Sequence, residues 1–185
     1  KMTIPNRVFR NEQGKRFLDI TTNGGFGHLQ KGHGVSFADM DNDGDQDIFT
    51  VLGGAFSGDI AFNALYENPG NNNHWVTLRL IGTRSNRDGI GARVRLELQT
   101  PDGERTIHLL VGTGGSFGAS SLQQEIGLGN ASGIKTLEIR WPSSDKVQRF
   151  SGVPIDTCIE IKEGDPTFSR IPLNPFPLNG NPLQN

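Results

Sequence analysis

Apolar and polar side chains alternate one for one in several segments of this 185-residue chain. In the segment WVTLRLI, Val76, Leu78 and Leu80 fall on one face, and Thr77 and Arg79 fall on the other. The same period of two recurs in ARVRLELQ, TIHLLV, KTLEIRW and TCIEIK. Because successive side chains of a β-strand point to opposite faces, this pattern predicts antiparallel strands with one face exposed to water. No segment keeps the spacing of an amphipathic helix over three turns, so we predict an all-β fold.

Turn residues are frequent between these segments. The chain contains 25 glycines, and 34% of its residues are hydrophobic, which favours short strands separated by many turns. The segment TPDGE, residues 100–104, joins two alternating segments and predicts a β-hairpin. A break at Asn68-Pro69-Gly70, followed by three asparagines, predicts a domain boundary. We therefore divide the chain into residues 1–72, 73–164 and 165–185.

The last of these segments, residues 165–185, contains five of the ten prolines. Proline is incompatible with a helix interior or an inner strand, so we predict an extended tail. When ordered, its apolar side chains are expected to dock on another surface, and a disordered tail is the open alternative. These side chains are Ile171, Leu173, Phe176, Leu178 and Leu183.

An acidic segment, FADMDNDGDQDIF, carries five aspartates at alternate positions from 39 to 47. Like charges at this density repel one another, so the pattern predicts either a solvated turn or a bound cation. Asp39, Asp41 and Asp43 occupy positions one, three and five of an EF-hand-like loop, with Gly44 at position six. Thr50 stands where an EF-hand has a bidentate glutamate, and a strand pattern follows instead of a helix. We therefore predict a calcium-binding loop that caps a β-hairpin.

Three neighbouring segments together resemble an FG-GAP or VCBS repeat, a blade of a β-propeller similar to the calcium-binding blades of integrin α-chains. They are VFRNEQGKRFLDIT, GVSFADMDNDGDQDIFTV and NALYENPG. The resemblance implies that one aspartate, Asp45, ligates calcium through its backbone carbonyl. The side-chain ligands that it implies are Asp39, Asp41, Asp43 and Asp47.

The rest of the chain resembles the ASPIC/UnbV domain that follows such repeats in cartilage acidic protein and its bacterial relatives. The matching segments are NHWVTLRLIGTRSNRDGIGARVRL, GGSFGASSLQQEIGLG, TLEIRWPSSDKVQRF and IEIKEG. The resemblance implies a β-sandwich-like domain. Only about one propeller blade is present, and propellers need several. The chain is therefore expected to be the C-terminal part of a larger repeat protein or assembly, with residues 1–72 covered by other segments or a neighbouring subunit.

Several function classes are disfavoured by the sequence. The net charge of −2 argues against nucleic-acid binding, and no apolar segment approaches the roughly 20 residues that span a bilayer. The single cysteine, Cys158, excludes an intrachain disulfide and a cysteine-cluster metal site. His28, His33, His74 and His108 lack zinc-site spacing.

No nucleophile, base and orienting group can be paired, so we predict a non-catalytic interaction or scaffold module. The glycine-rich segment GTGGSFG lacks the ending of a phosphate-binding loop and predicts a tight turn. Trp75 and Trp141 occupy strand positions and are expected in the core.

The expected location is extracytoplasmic: secreted, on the cell surface or periplasmic. Its expected partners are other protein chains or the missing blades. Two alternatives remain open. One is an accessory portion of a propeller-type polysaccharide-degrading enzyme. The other is a carbohydrate-binding module that presents Phe117 or Tyr66 to a sugar.

Overall fold

The computed structural model describes residues 5–12, 14–54, 56–115 and 117–178. These ranges contain thirteen β-strands and no helix, which confirms the all-β prediction. The described residues accordingly include no helical segment long and apolar enough to cross a bilayer. The first five strands are β1 (Phe9–Glu12), β2 (Arg16–Asp19), β3 (Gly32–Ala38), β4 (Asp47–Leu52) and β5 (Ala64–Tyr66). The other eight are β6 (His74–Ile81), β7 (Arg93–Thr100), β8 (Gly103–Leu110), β9 (Gln124–Gly129), β10 (Gly133–Arg140), β11 (Val147–Phe150), β12 (Thr157–Lys162) and β13 (Phe168–Ile171).

The N-terminal part forms two small antiparallel sheets. Strands β1 and β2 pair as a hairpin, and β3, β4 and β5 form a three-stranded sheet in that order. In the second sheet, Ala38 pairs with Asp47 at the ends of β3 and β4. The acidic loop, residues 39–46, therefore caps a β-hairpin, as the strand pattern after it predicted.

The C-terminal part is a sandwich of two four-stranded sheets. One sheet has the order β13-β12-β6-β9, and the other has the order β11-β10-β7-β8. The pairing of β6 with β12 is parallel, and the other pairings are antiparallel. The predicted hairpin at residues 100–104 joins β7 to β8, with Thr100 paired to Gly103. This confirms a sandwich-like arrangement for the second part of the chain.

The alternating residues of the two sheets form the core between them. Val76, Leu78 and Leu80 of β6 are buried in one cluster with residues of β7, including Leu96. Trp141, directly after β10, is fully buried there, as predicted. A fully buried leucine such as Leu96 contributes about 1.5–3 kcal/mol relative to an exposed one. The period-two pattern therefore places in the core the side chains whose burial stabilises the sandwich.

Trp75 does not lie in this core, which corrects one of the sequence predictions. Its neighbour Val76 points into the sandwich, so Trp75 points to the outer face of the sheet and is only half-buried. Thr77 lies on the same outer face and is buried there. The alternation already places Trp75 on the face opposite Val76, Leu78 and Leu80, so its apolar character alone does not put it in the core.

The proline-rich segment begins with a strand. Strand β13 pairs with β12 at the edge of its sheet, and the Phe168 ring lies 6.0 Å from that of Phe150. An edge position agrees with the expectation that this segment supplies no inner strand, because proline has no N–H to donate. Residues 172–178 continue without regular structure. The predicted docking residue Leu183 lies outside the described residues.

The N-terminal repeat leaves large apolar side chains exposed. Ile60 and Phe62 are 90% and 92% exposed, and Phe17 is 71% exposed. The described residues of the repeat contribute no side chain to the buried core cluster. The covering of this surface by further blades or another subunit stays a prediction.

Candidate functional site

The acidic loop brings three carboxylates together. Asp39, Asp41 and Asp43 each place a carboxylate oxygen within 4.8 Å of the others. Asp41 is 5% exposed, whereas Asp43 faces solvent. The group is therefore half-open, with one buried side and one side accessible from water.

The loop is wound around its own carboxylates. Asp39 accepts hydrogen bonds from the backbone N–H groups of Asp43 at 3.0 Å and Gly44 at 3.1 Å. Asp43 accepts one from the N–H of Asp45 at 2.9 Å. Asn42 has a φ of 62°, in the left-handed region that asparagine tolerates. These short-range bonds aim the carboxylates toward one centre.

Gly44 is required at position six for two reasons. Its φ of +98° is a conformation that residues with a Cβ rarely adopt. In addition, a Cβ at this position would overlap the indole ring of Trp75. The ring that sequence analysis placed in the core thus packs directly on the acidic loop.

Asp45 and Asp47 lie outside the converging group of carboxylates. Asp47 is 2% exposed and accepts backbone hydrogen bonds from Met40 at 3.0 Å and Asn68 at 2.8 Å. The carboxylate of Asp45 accepts from the side-chain amide of Asn71 at 3.4 Å. Through its hydrogen bonds with Met40 and Asn68, Asp47 links the acidic loop to the segment after β5. The ligand roles of Asp47 and of the Asp45 carbonyl stay predictions.

Three carboxylates of the acidic loop, those of Asp39, Asp41 and Asp45, have pKa values raised above the ordinary value. Burial, followed by the charges of Asp43 and Glu125, raises the pKa of Asp39 to about 6, although backbone N–H groups oppose the shift. Burial first and neighbouring carboxylates second also raise the pKa values of Asp41 and Asp45. A bound cation would favour the ionised carboxylates, and so it would offset both the burial and the repulsion between like charges.

Within the described ranges, no lysine, arginine or histidine forms an ion pair with these aspartates. The converging donors are all carboxylate oxygens, which suit hard cations, and calcium in particular accepts six to eight oxygen ligands with loose geometry. The group that the structure brings together thus fits a divalent cation. Asp39, Asp41 and Asp43 are the residues that would hold it.

The sandwich and the C-terminal segment also contact the loop. The side-chain amide of Gln46 donates to Glu125 of β9 at 2.9 Å. The backbone N–H of Phe176 donates to the carbonyl of Asp41 at 3.0 Å. Neither partner is indicated by the local sequence, because the residues in contact are far apart along the chain.

The glycine-rich segment around Gly118 lies against the edge strand β3. A Cβ on Gly118 would overlap the backbone of Val35, and one on Gly34 would meet the backbone of Phe117. Glycine on both sides allows the two backbones to approach closely. This segment therefore contacts the N-terminal repeat.

A buried carboxylate in the sandwich, Glu163, was also missed. Its carboxylate accepts five hydrogen bonds from Thr83, Arg84, Ser85 and Ser144. Burial alone would raise its pKa, but the hydroxyl of Ser144 and the three backbone N–H groups outweigh burial and hold the pKa far below the usual range. Nothing in the local sequence indicates this, since the donors lie 19 to 80 residues away.

The two aromatic residues considered for sugar binding lie in different surroundings. Tyr66 packs against Phe26 with ring centroids 4.6 Å apart, in a groove of about 380 Å³. Phe117 is 80% exposed on the glycine-rich segment and does not line that groove. The groove also contains Arg7 and His33.

Comparisons with protein families agree with this architecture. Residues 5–50 match the family model described as an FG-GAP-like repeat, and they include Asp39, Asp41 and Asp43. Residues 82–167 match the model described as ASPIC and UnbV, and they include strands β7 to β12. No curated protein has a sequence that matches the chain. The chain therefore carries an FG-GAP-like repeat followed by an ASPIC and UnbV domain, which confirms the two resemblances predicted from its motifs.

Proposed function

We propose that this chain is a non-catalytic calcium-binding module that mediates interactions outside the cytoplasm. The observation that carries the proposal is the group of Asp39, Asp41 and Asp43, whose carboxylates converge with no ion-pair partner among the described lysines, arginines and histidines. The group lies in an FG-GAP-like repeat, a kind of repeat that often binds calcium. Calcium supplies positive charge at the point where the carboxylates repel one another.

The proposed location agrees with this chemistry. FG-GAP-like and ASPIC and UnbV domains are typically extracytoplasmic. Calcium-binding modules that work outside cells commonly have dissociation constants of about 0.1–1 mM.

The non-catalytic part of the proposal is supported by the titratable pairs of the described chain. His74 contacts Asp156 at 2.7 Å, but no described serine, threonine or cysteine is bonded to the ring's other nitrogen. The second oxygen of Asp156 accepts the backbone N–H of Trp75 at 3.1 Å. This pair thus anchors the start of β6.

The proposed partners are other protein chains or additional propeller blades. The exposed Phe17, Ile60 and Phe62 would be buried by such a neighbour. A sugar is the second candidate ligand, because the groove beside Tyr66 joins an aromatic ring to the polar side chains of Arg7 and His33. A glycan array with wild type and Tyr66→Ala distinguishes a sugar ligand from a protein partner. A sugar site in the groove requires that wild type binds a glycan and that Tyr66→Ala does not.

A melting experiment on the full chain tests the calcium site. Calcium at about 100 times its dissociation constant stabilises the fold by about 2.7 kcal/mol, provided that the unfolded chain does not bind it. We expect calcium to raise the melting temperature, a chelator to reverse the rise, and Asp43→Ala to abolish it.

Asp45→Ala is the matched control for this experiment. Its carboxylate lies outside the converging group, so the variant should keep most of the calcium response. The ligand assignment is wrong if wild type shows no calcium shift, or if Asp45→Ala loses as much of the response as Asp43→Ala.

A further inference from the structure

Three parts of the chain meet at the acidic loop. The ring of Trp75, at the start of β6, covers Gly44. Gln46 is bonded to Glu125 of β9. Residues 172–178, which we call the C-terminal strap, leave β13 and make two hydrogen bonds to the same loop. The acidic loop is therefore a place where the repeat, the sandwich and the strap meet, in addition to the contact between Gly118 and Val35.

Both hydrogen bonds of the strap depend on how the loop is wound. The N–H of Phe176 donates to the carbonyl of Asp41 at 3.0 Å. The side-chain amide of Asn42 donates to the carbonyl of Asn174 at 3.4 Å. Asp41 belongs to the converging carboxylate group, and Asn42 follows it directly in the left-handed conformation. Both groups that the strap contacts thus belong to the same turn of backbone that carries the converging carboxylates.

The strap itself is suited to reversible docking. Its beginning is held by the pairing of β13 with β12. Prolines at 172, 175 and 177 restrict the undocked strap, so docking loses less conformational entropy than it would for a glycine-rich segment. Phe176 stands between two of these prolines and supplies an N–H that neither of them has.

We propose that calcium binding by the acidic loop and docking of the C-terminal strap are thermodynamically coupled, so that calcium fastens the strap across the junction of repeat and sandwich. This inference rests on the proposed calcium site. Coupling between two binding events is reciprocal, so the docked strap must raise calcium affinity by the factor by which calcium favours docking. From the net contribution of one hydrogen bond, we expect roughly a threefold to tenfold effect on affinity.

Two variants of Phe176 test the coupling in the full chain. Phe176→Pro removes the N–H but keeps an extended backbone, whereas Phe176→Ala keeps the N–H and serves as the matched control. Calcium affinity is measured by calorimetric titration with calcium chloride. We expect about threefold to tenfold weaker binding for Phe176→Pro and binding within about twofold of wild type for Phe176→Ala.

Asn42→Gly tests the second hydrogen bond. Glycine tolerates the left-handed conformation at position 42 but has no amide to donate to Asn174. We expect this variant to weaken calcium binding to a similar extent. Hydrogen exchange followed by mass spectrometry should also show slower exchange of the Phe176 amide when calcium is added to wild type.

Different results would overturn the coupling and the calcium site. The coupling is wrong if wild type binds calcium without slower exchange at Phe176 and if Phe176→Pro and Asn42→Gly bind calcium as tightly as wild type. The calcium site would not be affected by that result. Equal weakening by Phe176→Ala and Phe176→Pro contradicts the role of the N–H. Wild type that gives no heat of calcium binding overturns the proposed function, and the coupling with it.

Discussion

Replacing Glu163 with glutamine removes a buried charge without changing the shape of the side chain. Glu163 follows β12 and is 5% exposed. One carboxylate oxygen accepts the backbone N–H groups of Thr83, Arg84 and Ser85 at 2.8, 2.7 and 2.8 Å. The other accepts the hydroxyl groups of Ser85 and Ser144. The carboxylate thus holds the segment after β6 against the end of β12.

The magnitude follows from these five hydrogen bonds. Glutamine can keep its oxygen on the three N–H groups and turn its amide toward the hydroxyls, which can rotate to accept. The three N–H bonds then change from a charged to a neutral acceptor, a loss of about 1 kcal/mol each. We expect Glu163→Gln to lower the free energy of unfolding by about 2–4 kcal/mol at neutral pH, and Tm by roughly 4–16 °C.

The pH dependence gives an independent check. Because hydrogen bonds lower the pKa of Glu163 in the folded protein, the carboxylate contributes stability above its ordinary pKa of 4.5 and loses it as the pH falls toward the lowered value. The difference in unfolding free energy between wild type and Glu163→Gln should therefore be full at pH 7 and shrink below about pH 4.5.

Urea denaturation at a series of pH values measures this difference. Glu160→Gln is the matched control, because Glu160 lies in β12 and contacts the exposed Arg79 at 3.5 Å. An exposed ion pair of this kind contributes at most about 1 kcal/mol. The proposed role of Glu163 is wrong if Glu163→Gln loses no more unfolding free energy than Glu160→Gln. It is also wrong if the loss does not change with pH.

Two further substitutions test the acidic loop and the core by urea denaturation. Gly44→Ala should destabilise the chain by about 1–3 kcal/mol, because a positive φ and overlap with Trp75 both oppose a Cβ, and Trp75→Ala should recover part of the loss. The absence of any recovery would show that the overlap is not the cause. Leu96→Ala should cost about 2–5 kcal/mol because Leu96 is fully buried, whereas Leu110→Ala, at a position that is 66% exposed, should stay within about 0.5 kcal/mol of wild type. Similar losses for the two leucines would contradict the burial that the structure assigns.

Local patterns in the sequence determined the strands and the candidate metal site. The alternation in WVTLRLI predicted β6 because a strand's side chains change face at every residue. The spacing of Asp39, Asp41 and Asp43 predicted a cation-binding loop because the loop winds through hydrogen bonds between residues two to five positions apart. Such interactions are contained within the segment, so the segment's own residues specify them.

Tertiary structure alone decided what these local elements contact. The parallel pairing of β6 with β12 joins Val76 to Thr157, and no alternating pattern indicates a partner so distant. Trp75 lies on the face of β6 opposite Val76, and its contact with Gly44 of the acidic loop joins two segments that are distant along the chain. Glu163 is ionised although buried because donors from two separate segments, residues 83–85 and Ser144, converge on it. The strap reaches Asp41 for the same reason: the contact joins segments whose proximity depends on how the sheets are assembled.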